Sequence, residues 1–345
     1  MRADIDVQAL GKWLAANVPR IGPVLEIAPL TGGQSNPTYV LRDAAGLKAV
    51  LRKAPSGPTV KSAHAVDREF QVMSALRGSA VPVPEVWALC EDRSVLGAPF
   101  FVMEFVEGRI FWDPALPNES PEFRRDLYED INRTVAQLHT VDFDRLGLTA
   151  FGRSEDFFGR QIARWTKQYH ASRLRTIESM DRLIEWLPDN LPDRDLTTLF
   201  HGDLRLDNMI VHSSEPKVVA LLDWELSTLG DPLADLAYHA LPWRLSAHQF
   251  RGMAGKSSAV LRGIPSEAEY ISTYAVNVGQ DIDRAHYQFA VVFAMFRLAA
   301  ILHGIYERAM LGSASATDAR ETGEKAATVA DQAWIEVRTH FPGTR

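Results

Sequence analysis

One cysteine, Cys90, stands among 345 residues. No intrachain disulfide can form, and the C-x-x-C spacing of zinc and dithiol sites is missing. Basic residues are outnumbered 37 to 44, for a formal charge of −7. That balance argues against a nucleic-acid partner held through its phosphates. Long apolar runs are scarce as well. The longest, residues 289–302, is interrupted by Arg297 and falls short of the roughly 20 residues a membrane span needs. It reads as a buried core helix. The opening stretch MRADIDVQALGKWLAANVP has no apolar signal-peptide core, and no repeat or low-complexity tract is evident. The expectation is a cytoplasmic protein without a membrane or nucleic-acid partner.

What is present is ordinary globular composition, 46% hydrophobic and 23% charged, over a length more typical of two lobes than one core. Residues 6–17 read as an amphipathic helix. Residues 24–105 are strand-rich, with strands near 38–42, 47–52 and 100–105 and a helix near 65–77. Beyond Gly108 the pattern is mostly helical, interrupted by one strand pair, 209–212 and 218–222. The predicted fold class is α+β: a small β-rich lobe over residues 1–106 and a larger, mostly helical lobe over 107–345. A cleft between such lobes is a common ligand site.

The sharpest signal is FHGDLRLDN (200–208) followed by ALLDWE (220–225). Asn208 immediately precedes one strand of the predicted hairpin and Asp223 immediately follows the other. Both therefore fall at its open end, with His201 and Asp203 in the loop leading in. Carboxylate and amide oxygens gathered there suit a hard cation, which points to Mg2+. The order resembles the protein-kinase catalytic loop and its metal-binding aspartate. That resemblance implies Asp203 as the base for a substrate hydroxyl, Asn208 and Asp223 as magnesium ligands, and His201 as a brace. It also implies Arg205 as the cation facing the transferring phosphoryl group.

A second pattern pairs Arg52 with Glu69. The stretch AVLR (49–52) reads like the kinase strand that carries a phosphate-binding lysine, with arginine in its place. On the following helix Val66, Phe70 and Met73 form an apolar stripe, and Glu69 falls inside it. A buried carboxylate needs a partner. Arg52 is the candidate, since strand alternation turns Lys53 to the opposite face. TGGQSN (31–36) is a glycine-rich turn ahead of this strand. It brings Gly32, Gly33, Ser35 and Asn36 into play as phosphate-covering residues, although it is neither G-x-G-x-x-G nor a Walker A motif. FFVMEFVEG (100–108) is an apolar strand ending in a turn. By the kinase resemblance Met103 backs an adenine pocket, while Glu104 and Val106 offer backbone groups; a plain core strand would use the same side chains. In STLGDPLADLAY (227–238), Asp231 and Asp235 read as helix caps or loop braces, and His139 as structural.

Together these segments resemble the aminoglycoside phosphotransferase family, the choline/ethanolamine-kinase-like group, from about residue 29 to 241. His201-Gly202-Asp203 with Asn208 and Asp223 is the most specific motif. FFVMEFVEGRIFWDPALP and LLDWELSTLGDPLADLAY resemble one branch, the kinase domain found with acyl-CoA dehydrogenases, which acts on hydroxyacyl-CoA compounds. No dehydrogenase segment follows within the 345 residues. The resemblance implies ATP and Mg2+ as cofactors and a small-molecule alcohol, CoA-linked or a hydroxy acid, as substrate. An amino-sugar or amino-alcohol kinase, and a catalytically silent nucleotide-binding module, are the alternatives. Glu225 stands where kinases have the glycine of DFG, and touches metal or braces Arg205. No A-P-E segment follows, which speaks against a protein kinase. Finally, residues 153–175 carry six basic and two acidic residues. Arg160, Arg164 and Lys167 recur on one helical face, opposite Ile162, Trp165 and Tyr169. That face is either a substrate-facing anion site or a solvated surface.

Overall fold

Alternation along one strand sets the first layer. In β3 (Lys48–Lys53), Ala49 and Leu51 join one apolar cluster and Val50 joins another, as expected where successive side chains point to opposite faces. The computed structural model describes residues 5–30, 36–55, 66–172, 175–194, 196–312 and 318–343. Gly32, Gly33 and Ser35, singled out above, lie outside the described residues. β1 (Val24–Pro29), β2 (Thr38–Asp43), β3, β4 (Val86–Cys90) and β5 (Phe100–Glu104) form an antiparallel sheet in the order β1-β2-β3-β5-β4.

One face of the sheet is covered by α1 (Val7–Asn17) and the short α3 (Arg93–Leu96). Asp6 starts α1 by accepting the backbone N–H groups of Gln8 and Ala9. Leu10 and Leu14, one turn apart, bury against Leu51, Phe100 and Val102, and Trp13 meets Phe100 edge-on. The other face packs on α2 (Val66–Leu76) through Val72, Met73 and Leu76 and continues without a break into the helical core.

That core is built from α4 (Pro121–His139), α5 (Phe157–Ala171), α6 (Glu178–Asp189), α7 (Pro232–Arg244), α8 (Ala247–Phe250), α9 (Glu267–Val278), α10 (Arg284–Met310), α11 (Ala319–Glu324) and α12 (Ala326–His340). α10 is longer than the apolar run suggested. By length and composition it could cross a membrane, yet 78% of its apolar window is buried inside the protein. It is the central helix, packed by α5, α7 and α12.

Two strand pairs, not one, interrupt the helices. β7 (Met209–Val211) and β8 (Val218–Leu221) form the expected antiparallel hairpin, and β6 (Thr198–Phe200) pairs with β9 (Thr228–Gly230). Three-residue strands that meet across 30 positions are too short to display a period, so the second pair left no pattern in the sequence. The chain leaving β5 docks on the hairpin through reciprocal Arg109–Val211 backbone bonds of 2.7 and 2.8 Å. Gly108 permits this approach, because a Cβ there would sit 2.4 Å from the carbonyl oxygen of Val211.

Candidate active site

Two loops run side by side between the two strand pairs. Residues 201–208 lead from β6 to β7, and residues 222–227 lead from β8 to β9. His201 ties them together. Its ring is fully buried, and Nδ1 accepts the backbone N–H of Asp203 at 3.2 Å. The proton is thereby fixed on Nε2, which donates to the carbonyl of Leu222 at 3.0 Å. Burial lowers the pKa of this imidazole against the pull of Asp235, so it is a neutral strut, as the sequence suggested. Gly202 has φ +88°, and a Cβ would meet the Leu226 carbonyl at 2.6 Å, so glycine is required.

Asp235, on α7, braces the same loop. Its carboxylate accepts the N–H groups of His201 at 2.6 Å and Gly202 at 3.0 Å. Burial pushes its pKa up, but the His139 side chain and the His201 contacts outweigh burial and hold it down. His139 is also hydrogen-bonded to Tyr274, 2.8 Å away, a structural role. From α10, Arg297 donates to the Gly202 carbonyl. Its guanidinium lies 4.7 Å from the Tyr238 ring centre and 5.5 Å from that of Trp165. Sequence reading saw Arg297 only as a break in an apolar run. The signal was there, because a lone charge in a buried stripe must have a partner.

Asp203 sits at the centre of this frame. Arg205 Nη2 donates to its Oδ2 at 3.0 Å. Asn208 Nδ2 lies 2.8 Å from both the backbone oxygen and Oδ2 of Asp203. Burial raises the Asp203 pKa, but Arg205 and Arg297 more than cancel this and leave it lowered. Tyr238 lies beside it, its hydroxyl held protonated by burial and by the negative charge of Asp203.

At the open end of the hairpin the Leu222 N–H bonds to the Asn208 carbonyl at 2.8 Å, which sets Asn208 beside Asp223. Asp223 has φ +66° and ψ 60°, a left-handed conformation that few residues other than glycine adopt and that aspartate tolerates better than most. The Asn208 amide nitrogen is spent on Asp203, so its oxygen can face outward. An amide oxygen and a carboxylate at one hairpin end fit a hard cation that completes its shell with phosphate and water oxygens.

Arg52 bridges from the sheet. Its Nε lies 2.8 Å from Glu69 Oε2, and its Nη2 lies 2.5 Å from Asp223 Oδ1. Glu69 is 1% exposed and also accepts from Asn36 Nδ2 at 2.8 Å. Burial pushes the Glu69 pKa up to about 7 in spite of Arg52. The Arg52–Glu69 pair is therefore present as read from the sequence, and Asn36 joins it. Glu225 approaches Asn36 (3.5 Å) and Arg52 (4.0 Å).

The other named residues fall outside this cluster. Met103 is buried at the end of β5. The Glu104 backbone N–H is committed to the Glu85 carbonyl at 2.8 Å. Val106 follows in the connecting segment. On α5, Ile162, Trp165 and Tyr169 are buried, whereas Arg164 and Lys167 are exposed, so the two-faced reading holds. Arg160 is half-buried and donates to the Arg153 carbonyl at 2.8 Å. Arg164 lies 5.1 Å from the Trp165 ring centre. Among the described residues, none of the three basic residues hydrogen-bonds or pairs with Asp203, Asn208 or Asp223.

Comparison with known proteins places the chain among phosphotransferase-like relatives. The sequence model of the phosphotransferase enzyme family matches residues 26–269. Acyl-CoA dehydrogenase family member 10 of Mus musculus is 45% identical over 335 residues, which is 96% of this chain but only 31% of that relative's length. A crystal structure from Ralstonia eutropha, provisionally named an aminoglycoside phosphotransferase, is 43% identical. It has a TM-score of 0.87 and covers 97% of this chain and 98% of its own. A thermostable mutant of aminoglycoside phosphotransferase APH(4)-Ia, solved with ADP and hygromycin B, is 12% identical. It has a TM-score of 0.60 over 94% of this chain and 98% of its own, a likeness of fold alone.

Proposed function

Because the chain belongs to the phosphotransferase enzyme family, we propose that it transfers the γ-phosphoryl group of Mg-ATP to a hydroxyl of a small molecule. The observation that carries this is the Asn208 amide straddling Asp203 at 2.8 Å while Asp223 stands beside it at the hairpin end. Asp203 orients the acceptor hydroxyl and takes its proton. A lowered pKa suits that task, since in a loose transition state the proton leaves late and positioning dominates. Arg205 faces the transferring group, and Arg52, steered by Glu69, faces the nucleotide phosphates. Asn208 and Asp223 hold magnesium, which when bound neutralises charge on the phosphates.

The acceptor class we propose is a hydroxyacyl-CoA thioester or the corresponding hydroxy acid. Two features favour it over an amino-sugar: the relatives that carry this segment are named for acyl-CoA dehydrogenases, and α5 presents Arg164 and Lys167 outward. Positive charge repels a polycationic acceptor and attracts the phosphates of coenzyme A. ATP consumption across a panel of hydroxylated acyl-CoA thioesters, hydroxy acids, amino-sugars and amino-alcohols tests the proposal. Turnover confined to amino-sugars would replace the acceptor class. Nucleotide binding without turnover on any member would replace the activity.

A further inference from the structure

A pocket adjoins the catalytic loop, and Arg205 belongs to both. It pairs with Asp203 and also lines the pocket, whose other walls include Trp112, Tyr238, Trp243 and Phe250. Aromatic and aliphatic surface dominates the lining. Arg251 stands at its margin in an uncommon backbone state, φ +42°. This left-handed turn closes α8 at its C-cap and leaves the side chain 41% exposed at the pocket rim. Its guanidinium lies 4.9 Å from the ring centre of Trp112 and 5.5 Å from that of Phe250. Trp112 is itself 55% exposed. Nη1 of Arg251 bonds Asp207 Oδ2 at 2.6 Å, and Arg205 Nη1 approaches the same oxygen at 3.5 Å. Two guanidiniums thus share one carboxylate at the rim of an apolar pocket.

We propose that Arg251 is the acceptor-specificity residue. An apolar segment of the acceptor fills the aromatic pocket, and a negatively charged group on it takes the place of Asp207 as the partner of Arg251. The acceptor hydroxyl is then presented beside Arg205 and Asp203. A cationic group would meet Arg251 and Arg205 together and be rejected. The reacting part of this inference rests on the phosphotransfer reading above; the binding part does not.

The test is binding of three chain-matched probes, octanoate, 1-octanol and octylamine, to the full chain, read by intrinsic fluorescence of Trp112 and Trp243. Octanoate should bind saturably, octanol more weakly, and octylamine not at all. Arg251→Gly should weaken octanoate by roughly tenfold, the loss of one charge-assisted bond, and leave octanol unchanged. Retained octanol binding and a single cooperative melt in the same variant would show that the pocket stays folded, which separates loss of one charge contact from a general loss of structure. Arg251→Asn, which tolerates this backbone region, should repeat the selective loss. The inference is overturned if octylamine binds as well as octanoate, if no probe binds, or if neither variant affects octanoate. It is also overturned if the binding signal survives in Trp112→Phe/Trp243→Phe. Failure of the phosphotransfer reading would look different: no alcohol supports ATP consumption, while octanoate still depends on Arg251.

Discussion

Arg52 holds two carboxylates at once: Nε is 2.8 Å from Glu69 Oε2 and Nη2 is 2.5 Å from Asp223 Oδ1. The second contact places a guanidinium on the carboxylate assigned to the metal. A divalent cation arriving alone must therefore displace Arg52, whereas one arriving with nucleotide brings phosphates that receive it. Arg52→Gln should tighten nucleotide-free Mn2+ binding by about tenfold, the order of one charged hydrogen bond, and weaken ATP binding. Electron paramagnetic resonance titration of Mn2+ measures the first effect. An unchanged Mn2+ affinity would show that Arg52 does not compete.

The pair Arg52–Glu69 should behave as one unit. In a double-mutant cycle with Arg52→Met and Glu69→Gln, read as ATP affinity by calorimetry, the coupling should be about 0.5–3 kcal/mol. Arg52→Lys should recover only part of it, since a point charge replaces a planar fork that reaches two carboxylates. Additive losses within error would remove the pairing from the mechanism.

The parts of this site that were legible in the sequence were those set by local spacing. Asn208 and Asp223 flank a hairpin, so strand geometry alone put them side by side. Glu69 lay inside an apolar helical stripe, so its need for a partner could be inferred. The rest was set by pairing across distance. Asp235 reaches the N–H groups of His201 and Gly202 from 34 and 33 residues away, and Arg297 reaches Gly202 from 95. Glu225 approaches Asn36, 189 residues earlier. The pocket at Arg251 draws on segments near 112, 128, 205, 240 and 250, and no periodicity within any one of them announces it.

Acid should erode stability through the buried histidine of α7. Burial lowers the His239 pKa from its ordinary 6.5 to about 4, and its ring lies 3.0 Å from the Tyr270 hydroxyl. The folded state disfavours the charged form, so between those values the unfolded chain binds more protons. The contribution is complete above pH 6.5 and is lost as pH falls toward 4, up to roughly 3 kcal/mol. His239→Gln cannot titrate, so its denaturant midpoint should fall less over the same window. Parallel wild-type and variant curves would refute the assignment.

Asp203 and Asp223 should separate in kinetics, although each is a carboxylate on a neighbouring loop. Among the described residues, Asp203 bonds Arg205 and Asn208 and makes no hydrogen bond or ion pair with Arg52 or Glu69. Asp223 contacts Arg52, which reaches Glu69 and the sheet. On the proposed assignment, removing Asp203 takes away the group that positions the acceptor hydroxyl and leaves the nucleotide side intact. Asp203→Ala should thus lower kcat by about 10²–10⁴-fold with little change in the Kd for Mg-ATP. Asp223→Ala should lower kcat and also weaken Mg-ATP, because it removes the carboxylate proposed to hold magnesium and frees Arg52 from one of its two anchors. Single-turnover kinetics with separately measured nucleotide affinity distinguishes the two. If both variants lost nucleotide affinity equally and heavily, Asp203 would belong with the metal ligands, and the base would have to be sought elsewhere on the loop.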